Sequence, residues 1–434
     1  MKKLNITFCS FPDFSGNAKA LYKYMIKRYK DRMNYTWIVY NDSTMKLLND
    51  KGIKSILIGT DEFKKYIPKT NVFFTTHANL AGDKIKTKNS IYVELWHGIG
   101  PKPVGFLTEN LSKKDKNWYN FLKETIDYMI VPSELWRVLF STMFNINVQQ
   151  VLPLGLPLLD EIKKSNGKEN LSKLIGVNVN RYNKIIMYMP TFKKGCGRKL
   201  ESNYNKNNIL NFYDYSDNDF IEYLRENKYL LIVKRHPNDE CNYVKIENDF
   251  IKNINDQMLL KQGLNVNNIL NAGDLLITDY SSLGLEFCFL DKPVIYIATD
   301  LKEYIKNRGV ILKDYDFWTQ KNYCYSYKEF IYKLEKNLQN KNKINIKKEL
   351  YGSLEDGGCD KICDFLFDDN QISSKVKRYK SKIFELEKQN EDYENIINEQ
   401  ISTIKKLTES DIELKQIKNS RSWKILEKLR KLRK

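Results

Sequence analysis

The sequence predicts an α/β protein of two domains, each built on a parallel sheet, followed by a C-terminal helical extension. Short, nearly continuous apolar runs alternate with helix-length amphipathic segments, a pattern typical of strands buried on both faces of a sheet. A polar stretch rich in Lys and Asn, residues 159–183, interrupts this alternation, which then begins again. With 434 residues, the chain is long enough for two hydrophobic cores and an appendage.

The first domain is predicted to span residues 1–160. Amphipathic segments such as Ala18–Tyr29 and Trp118–Thr125 predict helices that cover its sheet. Its strand-like runs are Leu4–Cys9, Thr36–Tyr40, Ser55–Ile58, Val72–Thr76, Ile91–Trp96, Tyr128–Val131 and Val148–Leu152.

The second domain is predicted to span residues 161–370. Two such domains facing each other leave a cleft at the carboxyl ends of their strands, where ligands bind in open α/β sheets. The strand-like runs of the second domain are Ile185–Met189, Tyr229–Lys234, Leu275–Thr278, Val294–Ile297 and Val310–Leu312.

A long helix is predicted over residues 371–418, which contain neither Pro nor Gly. Most of its a and d heptad positions are apolar, which predicts a coiled coil that would join copies of the chain. A single long surface helix is the alternative.

Residues 419–434 are strongly basic and place Trp423 and three leucines on one helical face. This pattern predicts a helix that lies on an anionic membrane surface, with a frayed, solvated helix end as the alternative.

The formal net charge of +18 indicates either an anionic partner or a general Lys-rich bias of the chain. No nucleic-acid-binding module is recognisable, which argues against nucleic acid as that partner. The seven cysteines form no CxxC pair, which is typical of a protein in the reducing cytosol. Only three histidines accompany them, so we expect no metal site. Neither a signal peptide nor a run of about 18 apolar residues is present. We therefore expect a cytoplasmic protein, peripheral on the inner face of the cell membrane.

His97 is the first candidate catalytic residue, because it follows a predicted strand and precedes a Gly-rich loop. A histidine at this position faces a cleft and titrates near neutral pH, which suits a general base. Gly98 would let backbone N–H groups approach an anion closely. His77, in the segment FFTTHANL, is either a second site residue or a structural histidine.

Arg235 and His236 end another predicted strand and are followed by Pro237. A forked guanidinium contact and an imidazole donor predict a grip on a diphosphate. An ion pair that bridges to a neighbouring helix is the alternative. Thr191 ends a further strand, where its hydroxyl would bind a phosphate.

The string Thr278-Asp279-Tyr280-Ser281-Ser282 lies where a buried strand turns into a predicted helix, Gly284–Leu290. Ser281 and Ser282 are predicted to cap this helix, whose N-terminus favours a phosphate. Asp279 would orient His236 or accept a hydrogen bond from a ribose. A plain N-cap is the alternative.

Taken together, these strings resemble the CDP-glycerol glycerophosphotransferase family, which includes teichoic acid polymerases and primases. The resemblance covers roughly residues 90–366. The motifs that carry it are, in chain order, Trp96-His97-Gly98, Pro190-Thr191-Phe192, Arg235-His236-Pro237, Thr278-Asp279-Tyr280-Ser281-Ser282 with Glu286, Asp291-Lys292-Pro293 and Arg308-Gly309.

The resemblance implies a GT-B-like fold of two facing Rossmann-type domains and a transfer that needs neither a metal nor a cofactor. It implies that a CDP-polyol donor, carrying glycerol or ribitol, binds mainly to the second domain. The catalytic residues it implies are His97 and His236. The substrate-binding residues are Gly98, Thr191, Arg235, Thr278, Asp279, Ser281, Ser282 and Glu286.

In this interpretation His97 is the base for the hydroxyl of a lipid-linked or glycan acceptor, and CMP is released. The product would belong to a cell-surface polymer such as teichoic acid or capsule. The alternative is a GT-B glycosyltransferase that uses a nucleotide sugar, since that class shares the fold.

Overall fold

Two parallel β-sheets form the framework of the computed structural model, as the alternation of apolar runs predicts. The chain divides into two units, Met1–Ser373, which holds both sheets, and Ser374–Lys434. Within the part of the chain that is described, no helix is both long and apolar enough to cross a membrane. The structure describes residues 3–78, 80, 90–109, 111–191, 208–210, 212–235, 245–311, 314–339, 346–354, 356–367 and 372–431.

The first sheet has seven strands in the order β3-β2-β1-β4-β5-β6-β7. Its strands are β1 (Leu4–Cys9), β2 (Met33–Val39), β3 (Ser55–Leu57), β4 (Val72–Thr75), β5 (Ile91–Glu94), β6 (Tyr128–Ile130) and β7 (Val151–Leu152). The helices of this part are α1 (Gly16–Tyr29), α2 (Asp42–Asp50), α3 (Asp61–Tyr66), α4 (Lys113–Thr125), α5 (Glu134–Phe144) and α6 (Pro157–Lys164). Because β4 and β5 are parallel neighbours, the loops that follow them lie side by side.

The second sheet has six strands in the order β10-β9-β8-β11-β12-β13. Its strands are β8 (Lys184–Tyr188), β9 (Tyr229–Val233), β10 (Ile251–Asn253), β11 (Leu275–Thr278), β12 (Val294–Ile297) and β13 (Tyr323–Cys324). The helices of this part are α7 (Gly167–Ile175), α8 (Asp217–Asn227), α9 (Asp256–Lys261), α10 (Leu283–Cys288), α11 (Leu301–Arg308), α12 (Tyr315–Thr319), α13 (Tyr327–Gln339), α14 (Lys347–Tyr351) and α15 (Cys359–Leu366).

The strand predicted at Val310–Leu312 is wrong. Val310 and Ile311 belong to neither sheet, and Leu312 lies outside the described residues. The backbone N–H of Ile311 instead donates to the carbonyl oxygen of Pro101 at 2.7 Å. This apolar run therefore joins the second sheet's domain to the loop that follows β5.

The two sheets share one continuous hydrophobic core. Trp136 on α5 packs against Trp318 on α12 with ring centroids 5.6 Å apart. The Ser133 hydroxyl at the start of α5 donates to the carbonyl of Leu350 on α14 at 2.7 Å. These contacts hold the carboxyl ends of the two sheets in one body, which sets the geometry of the site between them.

The C-terminal unit is helical. Helix α16 (Ile372–Asn419) is one uninterrupted helix of 48 residues, and α17 (Arg421–Lys431) follows it. At 1.5 Å per residue, α16 is about 72 Å long. Pairing of this helix in a coiled coil stays a prediction.

Candidate active site

His77 and His97 lie at the carboxyl ends of β4 and β5 with their imidazole rings stacked. The ring centroids are 4.1 Å apart and the planes differ by 11°. The register of the two strands pairs Thr75 with Glu94, so the loops that follow start level with each other. The sequence alone left two roles open for His77; the structure places its ring against the candidate base.

The contacts of His97 indicate which ring nitrogen accepts a proton. Its Nδ1 lies 3.4 Å from the carbonyl oxygen of Thr76. Since a carbonyl oxygen only accepts hydrogen bonds, this contact favours a proton on Nδ1 and leaves Nε2 as the acceptor. The ring is exposed at the cleft, yet the surrounding protein disfavours its charged form and lowers its pKa below the ordinary histidine value. His97 is thus a neutral base at neutral pH.

His77 is kept neutral more strongly. Burial, together with the nearby His97, lowers its pKa to about 3. Its Nδ1 lies 3.0 Å from the Thr76 hydroxyl, and the ring of Phe11 meets it edge to face at 5.9 Å. A neutral ring adds no competing positive charge beside His97 when that residue takes up a proton.

Glu94, the last residue of β5, is fully buried and is hydrogen-bonded to both histidine loops. Its carboxyl group accepts from the backbone N–H of Trp96 at 2.8 Å and of Ala78 at 2.9 Å, and from the Thr75 hydroxyl at 2.5 Å. Burial raises the pKa of Glu94 to about 7 although these donors oppose the shift. Sequence reasoning missed Glu94. The available signal was a charged residue in an otherwise apolar, buried strand.

The loop after His97 contacts helix α10 of the second domain. Gly98 has a φ of +146°, and a Cβ there would lie 2.6 Å from the Oε1 atom of Glu286. A Cβ at Gly100 would lie 3.3 Å from the Cβ of Ser282. A side chain at position 98 would therefore force a shift, whereas one at position 100 would make a tight contact. The site therefore lies between the two domains, with the His97 loop on one side and Ser282 and Glu286 on the other.

Glu286 carries a carboxyl group that is neutral at pH 7. The residue is 6% exposed, and burial raises its pKa to about 8. Protonated carboxyl groups donate a hydrogen bond as well as accept them. Glu286 can therefore face an anion in the cleft without repelling it.

Asp279 and Thr191 lie together at the ends of the neighbouring strands β11 and β8. Asp279 Oδ1 accepts from the backbone N–H of Thr191 at 2.8 Å and of Tyr280 at 2.7 Å, and from the Thr191 hydroxyl. Asp279 is 3% exposed, and its Oδ2 has no hydrogen-bond partner among the described residues. Thr278 is fully buried and donates to the carbonyl of Met189 at 2.7 Å. The structure places both Thr278 and Asp279 beneath the cleft surface, where they shape the loops; their predicted contacts with substrate stay predictions.

The two serines before α10 differ in their surroundings. The Ser281 hydroxyl accepts from the backbone N–H of Leu283 at 3.3 Å, so Ser281 provides the predicted cap. Ser282 is exposed and makes no cap hydrogen bond. Its hydroxyl therefore lies open to the cleft beside Gly100.

Arg235 lies at the end of β9, next to β8 in the second sheet. Its guanidinium group donates to the carbonyl of Ile209 at 2.8 Å and lies 5.6 Å from the ring centroid of Tyr188. A cavity of about 240 Å³ adjoins it, lined also by Lys245 and Asn255. His236, predicted as its partner, lies outside the described residues.

Among the described residues, no group of three or more His, Cys, Asp or Glu side chains is arranged to hold a metal ion.

Comparison with known proteins agrees with the fold and the motifs. The model of a family described as CDP-Glycerol:Poly(glycerophosphate) glycerophosphotransferase matches residues 1–368. The chain is 32% identical over 231 residues to the teichoic acid glycerol-phosphate primase of Bacillus subtilis strain 168, which covers 52% of this chain and 55% of that protein. It thus spans about half the length of this relative.

Two further relatives extend the comparison. The teichoic acid poly(glycerol phosphate) polymerase of Bacillus spizizenii is 26% identical over 325 residues, covering 70% of this chain and 75% of that protein. A solved structure of the wall teichoic acid polymerase TagF superposes with a TM-score of 0.59 at 20% identity, covering 89% of this chain and 90% of that chain. The predicted GT-B-like arrangement of two Rossmann-type domains is confirmed by this likeness and by the two parallel sheets.

Proposed function

Because the chain belongs to the CDP-glycerol:poly(glycerophosphate) glycerophosphotransferase family, we propose that it transfers a polyol phosphate from a CDP-polyol to an acceptor hydroxyl and releases CMP. The polyol is glycerol or ribitol, and the product is part of a cell-surface polymer such as teichoic acid or capsule. The observation that carries this proposal is a neutral His97 whose loop contacts Ser282 and Glu286 of the facing domain.

In the proposed reaction His97 acts as the general base. Its Nε2 accepts the proton of the acceptor hydroxyl, and the acceptor oxygen attacks the phosphorus that bears the polyol. A new P–O bond forms there, and the P–O bond to the bridging oxygen breaks. CMP leaves with that oxygen and its electron pair, and the proton stays on His97 until it passes to solvent.

The donor is proposed to bind to the second domain. Arg235 and His236 would neutralise the diphosphate, Ser281 and Ser282 would place hydroxyl and backbone donors on it, and Glu286 would donate from its neutral carboxyl group. The backbone at Gly98 would complete the phosphate contacts, while Thr278 and Asp279 hold these loops in shape. The Thr191 hydroxyl donates to Asp279, so its predicted bond to a phosphate would require it to turn away from Asp279. Phosphoryl transfer depends mainly on positioning and charge neutralisation, which such a set supplies.

The acceptor is proposed to approach from the first domain. Two exposed aromatic rings lie beside the histidine pair. Phe11, which contacts His77, is 58% exposed, and its ring centroid lies 6.1 Å from that of Tyr40, which is 37% exposed. Such rings offer an apolar surface to a lipid-linked or glycan acceptor. The basic tail 419–434 would hold the enzyme on an anionic membrane from the cytoplasmic side, and α16 would pair copies of the chain.

A panel of donors tests the proposal. The full chain is incubated with labelled CDP-glycerol, CDP-ribitol and UDP-sugars, and CMP or UDP release is measured with acceptors that end in glycerol phosphate or in a sugar. We expect CMP release from a CDP-polyol and a loss of about 1,000-fold in kcat for His97→Ala, with donor binding retained. Turnover of a UDP-sugar but of neither CDP-polyol would instead favour the glycosyltransferase. An equal loss of donor binding in His97→Ala would make His97 a donor ligand.

A further inference from the structure

Glu94 connects the two loops that carry His77 and His97. Its Oε1 accepts from the backbone N–H of Trp96 at 2.8 Å, and its Oε2 accepts from that of Ala78 at 2.9 Å. Trp96 directly precedes His97, and Ala78 directly follows His77. One carboxyl group therefore binds the residue next to each histidine.

Both of these neighbouring residues have an unfavourable backbone conformation. Ala78 has a φ of +49° and Trp96 has a φ of +51°. Residues with a Cβ rarely adopt this left-handed region, because the Cβ comes too close to the backbone. Such conformations persist where surrounding contacts hold them, and they concentrate at functional sites. In both residues the N–H group is bound by Glu94.

We propose that Glu94 is the positioning residue of the stacked His77–His97 pair. By holding Ala78 and Trp96 in the left-handed conformation, its carboxyl group aligns the two rings and directs Nε2 of His97 into the cleft. Glu94 is fully buried behind the loops, so it acts through the backbone and does not touch substrate. The effect on turnover rests on the proposed function, whereas the effect on ring geometry does not.

A positioning role differs in its consequences from a purely structural one. Loss of a buried structural contact lowers the free energy of unfolding but leaves the rings of the remaining folded protein stacked. Loss of a positioning contact separates the rings and lowers kcat without changing the KM of a donor held by the other domain. Gln in place of Glu94 keeps one carbonyl oxygen for one of the N–H groups and can donate its amide to the Thr75 hydroxyl, so it restores part of the function.

The experiment compares Glu94→Leu, Glu94→Gln and the control Thr75→Val in the full chain. Thr75→Val removes the hydroxyl that binds Glu94 from an equally buried position but leaves both loop N–H bonds in place. The chain has only three histidines, so their ring NMR signals can be assigned by single substitutions. The readouts are the nuclear Overhauser contact between the His77 and His97 rings, and kcat and KM with CDP-glycerol.

We expect Glu94→Leu to lose the contact between the rings and about 100-fold in kcat, with the donor KM unchanged, because small misplacements of a reacting group cost about that factor. Glu94→Gln should stay within about tenfold of the wild type, a smaller misplacement on the same scale. Thr75→Val should keep both the ring contact and kcat. If Glu94→Leu does not fold, Glu94→Asp replaces it, because a carboxyl group one methylene shorter cannot reach both loops.

The proposal is overturned if Glu94→Leu, or Glu94→Asp in its place, keeps the ring contact or keeps kcat. It is also overturned if Thr75→Val loses both to the same extent. If the wild-type protein turns over no CDP-polyol, the proposed function fails, and the ring contact alone then decides whether Glu94 positions the pair.

Discussion

Two titratable side chains on opposite sides of the cleft would give the proposed reaction a defined pH range. On the first domain, desolvation lowers the pKa of His97, so its base form persists below the ordinary histidine pKa of about 6.5. On the second domain, burial raises the pKa of Glu286 to about 8. Between these limits His97 is neutral, as the proposed base must be, and Glu286 is neutral and able to donate a hydrogen bond.

Glu286→Gln separates the two limits. We expect the wild-type kcat/KM to fall above pH 8, where Glu286 becomes an anion beside the donor phosphates, and this fall to be absent in the variant, because Gln does not ionise. The acid limb, set by His97, should be unchanged. Measuring kcat/KM from pH 5 to about 9.5 tests this, because that range includes the ordinary histidine pKa and the raised pKa of Glu286. A wild-type profile without an alkaline limb would count against the assignment.

The same substitution changes the pH dependence of stability. The folded-state pKa of about 8 lies above the ordinary value of 4.5, so the unfolded state binds fewer protons between these values and stability falls as the pH rises through them. Gln does not ionise, so the Glu286→Gln variant does not lose stability in this way. The Tm of Glu286→Gln minus that of the wild type should therefore increase from pH 5 to pH 8.

The sequence predicted the positions of individual site residues only where it also predicted the end of the preceding strand. His97, Thr191 and Ser282 lie within four residues of the ends of apolar runs, and parallel strands bring such ends to one edge of a sheet. The stacking of His77 on His97 depends on β4 and β5 being neighbours, which periodicity does not specify. Glu94 stands out in the sequence as a charged residue in an apolar strand, but its role depends on two loop N–H groups and the Thr75 hydroxyl, which only the fold brings to it.

At the scale of elements, the loop after β5 and helix α10 form the contact that closes the site. Gly98 and Gly100 allow the loop to lie against Glu286 and Ser282. The contact joins the proposed base on the first domain to the proposed donor side on the second, so we expect the closeness of this contact to affect the rate of transfer.

Gly98→Ala tests this contact. The added Cβ would meet Oε1 of Glu286 at 2.6 Å and would strain a backbone with φ of +146°, so the loop must shift. We expect kcat to fall about 100-fold from the misplacement of His97. Gly176→Ala is the matched control, because its φ of +69° is also unfavourable but its Cβ meets nothing within 4 Å. Equal kcat losses in the two variants would show that backbone strain, not the contact with α10, is responsible.

The elements themselves were predictable where they are long and apolar. The runs for β1, β11 and β12 match the observed strands residue for residue. Strands β10 and β13 escaped prediction because neither forms an apolar run: two of the three residues of β10 are Lys252 and Asn253, and β13 consists only of Tyr323 and Cys324. Short edge strands take their conformation from the neighbouring strand, and local sequence has little influence on them.

At the scale of the whole molecule, the C-terminal unit gives the chain a second surface. Helix α17 exposes Trp423 and Ile425, which are 39% and 59% exposed. The sequence of this helix is rich in Lys and Arg. Apolar side chains beside basic ones are typical of helices that lie on anionic lipid surfaces, and this role stays a prediction for α17.

Deletion of residues 419–434 tests the role of this helix. We expect the full chain to bind vesicles that contain anionic lipid but not neutral vesicles, because binding needs both charge attraction and burial of apolar side chains. The truncated chain should not bind the anionic vesicles. CMP release from the donor in solution should be unchanged, which controls for folding. Sedimentation with vesicles measures the difference. If the truncated chain binds these vesicles as well as the full chain does, residues 419–434 are not the membrane-binding segment.

The shared core between the sheets also constrains how the protein is made. Ser133 on the first domain bonds Leu350, which lies 217 residues later in the chain. A ribosome that adds about 5–20 residues per second needs about 10–40 s to bridge that interval. During this time Trp136 and its apolar neighbours on α5 have no partner from the second half to cover them. An apolar surface of the first domain is therefore uncovered until the second domain has been made, and the cleft between the domains can form only after that.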